Sequence, residues 1–102
     1  MNESPISGEQ ICEALRAVAQ PEQIWILKDI ETLAQAPARL LGHLWERVRR
    51  SPIEIRTRDL CEALSQAAQV ISLEIHLSSP SSNYLLVEDG MVIECCLTPL
   101  DE

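Results

Sequence analysis

The chain has no phenylalanine, a single lysine (Lys28), and no lysine or arginine after Arg58. Its three aromatic side chains, Trp25, Trp45 and Tyr84, are scattered. Such a set is poorly suited to a platform on which successive bases stack, and the core has to be built from Leu, Ile, Val and Ala. Three glycines and one lysine leave no phosphate-binding loop, and the chain contains no H-E-x-x-H, G-x-S-x-G or C-x-x-C. Long apolar runs are missing too. Ile24-Trp25-Ile26-Leu27 spans four residues, against about 20 for a membrane-crossing helix. Met1-Asn2-Glu3-Ser4-Pro5 lacks the basic and apolar regions of a secretory signal. The expected address is therefore the cytosol, with no membrane partner.

The composition that remains is that of a folded globular chain: 46% hydrophobic and 24% charged over 102 residues. This length predicts one domain, 1–102, with residues 1–6 and 99–102 as frayed tails. A net charge of −8 repels phosphate backbones, so no direct nucleic-acid binding is expected. The charge is also segmented. Residues 1–38 set six acids against Arg16 and Lys28, a balance of −4. Residues 39–58 set Arg39, Arg47, Arg49, Arg50, Arg56 and Arg58 against Glu46 and Glu54, a balance of +4. Residues 59–102 hold eight acids and no cation but histidine, a balance of −8. The arginines either pair with acids inside the fold or face an anionic partner.

Cys12, Cys61, Cys95 and Cys96 read as reduced thiols in a cytosolic setting. Nothing in their spacing, or in that of His43 and His76, marks a metal site. No metal, cofactor or catalytic residue is expected.

The order of elements predicts an α+β fold, with helices at about 8–20, 22–35, 37–50 and 58–69. A small antiparallel sheet follows at about 70–78, 84–88 and 91–97, with a short extra strand at 53–56. Ser7-Gly8-Glu9-Gln10 has the spacing of a capping box. Residues 22–35 are ambiguous, because Gln23 to Leu27 also suits a strand; Ile26, Ile30 and Leu33 on one face favour a helix. Pro37 suits the first turn of the next helix, and Thr57 suits an N-cap. Gly42 weakens its helix and offers room for a close neighbour. Helix, strand, helix and hairpin in this order also resemble a winged helix, but Asp59, Glu62 and the acids of the hairpin argue against contact with DNA.

Asp89-Gly90 predicts a type I′ hairpin. Extended without interruption, it pairs Glu88 with Met91, Leu86 with Ile93, and Tyr84 with Cys95. If Leu77 also pairs with Tyr84, then Ile75 lies beside Leu86. That register leaves Leu85, Val87, Val92, Glu94 and Cys96 on a second face. This face is too apolar for open water, so either helices or a partner should cover it.

The functional expectation is a non-catalytic, acidic protein-interaction module, an inhibitor or adaptor. It would dock a basic protein through Glu74, Leu85, Val87, Glu88, Asp89, Val92 and Glu94. One alternative is a homo-oligomeric structural or adaptor subunit that uses the second sheet face. Another is a small Cys- or metal-dependent enzyme built on Cys61, Cys95, Cys96 or His76.

Overall fold

A computed structural model of the chain describes residues 6–34, 39–79 and 82–99. Helix α1 spans Gly8–Val18 and carries the capping box read from the sequence. Ser7 Oγ accepts the Gln10 amide at 3.2 Å, and Gln10 Oε1 accepts the Ser7 amide at 2.9 Å. Ile11, Cys12, Leu15 and Val18 form its buried stripe. Ala19 ends it in an extended conformation two residues before Pro21. Ser7→Ala is expected to lower stability by about 1 kcal/mol, read as a fall in thermal midpoint with unchanged near-UV circular dichroism.

The segment expected as a helix at 22–35 is instead a strand, β1, Ile24–Ala34. Two antiparallel neighbours decide this. Ile24 to Leu27 pairs with β2, Ile53–Arg56, and the whole strand pairs with β3, Ala67–Leu77. A central position satisfies the backbone on both edges, and that outweighs the helix preference of Glu31-Thr32-Leu33-Ala34. Irregularities at Leu27/Asp29, Glu31/Thr32 and Leu33/Ala34 absorb the misfit in period.

Helix α2 spans Arg39–Arg50 and buries Leu41, Leu44 and Val48; the role assigned to Pro37 lies outside the described residues. Helix α3 spans Thr57–Leu64 and so stops well short of residue 69. The Ser65 hydroxyl donates to the Glu62 carbonyl at 2.8 Å, and the Gln66 amide closes a turn onto Ala63. Ala67, Gln69 and Val70 then join β3 opposite Ala34, Leu33 and Thr32. Thr57 is not the N-cap, which is Arg56 with no side-chain cap bond. Its hydroxyl is buried and committed to β1, accepting from Trp25 Nε1 at 2.8 Å and donating to the Gln23 carbonyl at 3.0 Å.

Strands β4 (Tyr84–Glu88) and β5 (Met91–Cys96) complete a five-stranded antiparallel sheet in the order β2-β1-β3-β4-β5. The fold is α+β, with helices and strands interleaved along the chain rather than helices first. The hairpin belongs to this larger sheet and is not a wing. Asp89 and Gly90 take φ of 52° and 79°, as a type I′ turn requires. The end of the expected N-terminal tail is tied down, since the Val70 amide donates to the Ile6 carbonyl at 2.8 Å. The expected fraying at 1–5 and 100–102 lies outside the described residues.

One core joins the three helices to the inward side of the sheet: Trp25, Leu27, Ile30, Val70, Leu73, Ile75, Leu77, Leu85 and Val87. The smallest dimension of the molecule, 19 Å, is that of one helical layer on one sheet. Among the described residues, no helix lies on the opposite sheet face.

Candidate functional site

Two register features decide what that open face displays. First, β3 and β4 pair His76 with Tyr84, Ile75 with Leu85, Glu74 with Leu86, and Leu73 with Val87. This is one residue away from the register expected from Leu77–Tyr84, so the in/out assignment of β4 reverses. Leu85 and Val87 turn inward, at 3% and 0% exposure, and belong to the core. They cannot be contact residues, and the face expected to await a partner is covered by the protein's own helices. Leu73 and Ile75 need branched aliphatic neighbours, and Leu85 and Val87 supply them.

Second, a bulge interrupts the hairpin. Glu88–Met91 pairs as expected, but Val87 meets Val92 and Leu86 meets Glu94, leaving Ile93 as the extra residue. The expected pairs Leu86–Ile93 and Tyr84–Cys95 therefore become Leu86–Glu94 and Tyr84–Cys96. Glu94 and Cys96 consequently share a face with Tyr84 and Leu86.

The open face can then be read row by row. One row runs Glu54, Ile26, His76, Tyr84, Cys96 across all five strands. The next runs Asp29, Glu74, Leu86, Glu94. His76 and Tyr84 stack with ring centroids 5.7 Å apart. His76 Nε2 lies 3.0 Å from Glu74 Oε2. Tyr84 donates its hydroxyl proton to Glu94 Oε1 at 3.2 Å. That hydrogen bond, followed by the charge of Glu94, raises the phenol above its ordinary pKa. The result is a ring-stacked centre between glutamates, with Ile26 and Leu86 as half-buried apolar contacts.

Among the described residues, the basic stretch does not neutralise this face. Arg49 pairs with Glu46 at 3.3 Å, and Arg56 and Arg58 both reach Glu22, at 3.6 and 3.2 Å. None pairs with Glu74, Glu88, Asp89 or Glu94. Of the expected contact residues, Glu74 and Glu94 come together on the open face. Glu88 and Asp89 lie at the exposed hairpin end beside them, and Val92 lies on β5. The sequence reading missed Ile26, Tyr84 and Leu86 as surface residues; Ser72, Glu74 and His76 alternate with Leu73 and Ile75 along β3 and mark the open side, but the strand nature of 24–34 was needed to extend it.

Strand β5 is an edge, exposed along its whole length. Met91, Val92 and Ile93 are 50%, 43% and 46% exposed. Among the described residues, no group of three His, Cys, Asp or Glu side chains is placed to hold a metal ion, and no helix is long and apolar enough to cross a membrane. No protein-family model, curated protein or solved structure matches the chain.

Proposed function

We propose that this protein is a non-catalytic interaction module that binds a basic protein surface with its open sheet face and hairpin end, in the cytosol. The observation that carries the reading is a face that no described helix covers, on which Glu54, Asp29, Glu74 and Glu94 surround Ile26, Tyr84 and Leu86, with none of these acids paired to an arginine among the described residues. Acidic groups around half-buried apolar ones suit an interface in which charge steers the encounter and apolar contact slows release. Strand β5 extends the same surface with a backbone edge that no described strand pairs, to which an extended segment of the partner could add.

Capture from cell extract at low and high salt, with partners identified by mass, tests this. A triple reversal of Glu74, Glu88 and Glu94 to Lys is the control. Each exposed pair contributes about 0.2–1 kcal/mol, so the reversal should weaken capture by roughly 3–100-fold, and added salt should do likewise. Binding indifferent to both would remove the electrostatic reading.

Self-association is the second reading, and the exposed Met91-Val92-Ile93 edge favours it. Pairing of two β5 strands would bury that edge. Sedimentation should then show a dimer dissociating on dilution; a strict monomer at high concentration, also with Ile93→Lys as reference, would exclude it.

A further inference from the structure

Cys12 and Cys61 meet where α1 crosses α3. Cys12 Sγ lies 3.1 Å from the Cys61 carbonyl oxygen, and Cys61 Sγ lies 3.9 Å from the Cys12 carbonyl oxygen. Each sulfur thus rests against the other residue's backbone. The crossing is tight. One turn away, Gly8 approaches the Leu64 carbonyl so closely that a Cβ would sit 1.7 Å from its oxygen. The two cysteines are therefore direct neighbours across the helix crossing, and both thiols are free.

Cys61 also lines a cavity of about 350 Å³ formed with Arg16, Ala19, Pro21, Thr57 and Arg58. Ala19 and Pro21 make part of its wall apolar, and Arg16 and Arg58 border it, the Arg58 guanidinium being paired with Glu22 at 3.2 Å. The cavity can admit a small neutral molecule. Cys12 is fully buried beyond Cys61 and does not line the cavity.

We propose that Cys61 is a peroxide-reactive thiol reached through this cavity, and that Cys12 is the partner that resolves its oxidised form into a disulfide tying α1 to α3. This does not depend on the open sheet face. The Cys61 sulfur attacks one oxygen of a hydroperoxide and the O–O bond breaks. Cys61 becomes a sulfenic acid, and the departing oxygen leaves as water or an alcohol once protonated. The Cys12 sulfur then attacks the Cys61 sulfur, the S–O bond breaks, and the second oxygen leaves as water with the Cys12 proton. Two thiols are oxidised to one disulfide, and the peroxide is reduced. The order of attack follows from access, because Cys61 lines the cavity and Cys12 does not. The pairing with Cys12 and then the Arg16 charge also lower the pKa of the Cys61 thiol despite its burial. The same pairing and burial push Cys12 up.

Cys95 and Cys96 are exposed, so the test uses Cys95→Ser/Cys96→Ser protein, fully reduced and folded, with hydrogen peroxide as probe. The expected product has lost both thiol hydrogens by intact mass and gives a Cys12–Cys61 linked peptide on non-reducing digestion. With Cys12→Ser added, dimedone should trap Cys61 as sulfenic acid. With Cys61→Ser instead, Cys12 should react at least about tenfold more slowly. If either variant fails to fold, early time points on the parent with dimedone present decide the order. Two thiols that resist peroxide in the folded protein and react only after denaturation would overturn the proposal, as would trapping at Cys12 as fast as at Cys61.

Discussion

Trp25→Ala is expected to destabilise the protein by about 3–5 kcal/mol, the range for removing a large buried aromatic. Total stabilities of small domains run to about 5–15 kcal/mol, so this one change should bring the protein close to unfolding at ordinary temperature. Trp25 is 0% exposed and sits mid-sheet, opposite Ile55 on β2 and Leu77 on β3. Its indole N–H donates to Thr57 Oγ1 at 2.8 Å, and that hydroxyl donates to the Gln23 carbonyl at 3.0 Å. The chain of two bonds joins the start of α3 to the start of β1. Thr57→Val keeps the shape but leaves the indole N–H buried without an acceptor, at an expected loss of about 1–3 kcal/mol. Urea titration followed by Trp fluorescence measures both; Trp45 is 40% exposed and serves as the internal reference. A loss below about 1 kcal/mol for Trp25→Ala would contradict the packing described.

The second large effect is at Gly8, where opposite signs are expected for two glycine replacements in helices. A Cβ at Gly8 would lie 1.7 Å from the Leu64 carbonyl oxygen and 3.1 Å from the Ala67 Cβ. The obstacle is backbone, so α1 and α3 must move apart, and the expected loss for Gly8→Ala is at or above about 3 kcal/mol. At Gly42 a Cβ meets nothing within 4 Å, so among the described residues no neighbour uses the room read there from the sequence. Gly42→Ala should therefore stabilise by up to about 1 kcal/mol through helix propensity and a less flexible unfolded chain. Paired thermal denaturation of the two variants reads the difference as midpoint shifts in opposite directions.

Local chemistry was legible where neighbours in sequence are neighbours in space. Ser7 and Gln10 marked the start of α1, and Asp89-Gly90 marked the hairpin turn. Leu41, Leu44 and Val48 recur at helical spacing in the segment expected as a helix at 37–50 and form the buried side of α2, and Ile53 to Arg56 read as a strand. Each depends on contacts a few residues apart, so composition and period suffice. The candidate surface was legible only in part. Glu74 and Glu94 were found from the charge run, whereas Leu85 and Val87 were assigned to a face from a register one residue away from the observed one. In a strand that difference inverts every side chain.

The residues alone determined an acidic α+β protein with a Leu/Ile/Val/Ala core, a capped first helix, a polar side to β3 and a type I′ turn, because short-range sterics and hydrogen bonding dictate these. Tertiary structure decided that 24–34 is the second strand of the sheet, that 67–69 belongs to β3 rather than α3, and that Ile93 bulges so that Glu94 reaches Tyr84. Each of those outcomes depends on backbone pairing between segments far apart in the chain. The energy of that pairing exceeds the few tenths of a kcal/mol by which local propensities differ.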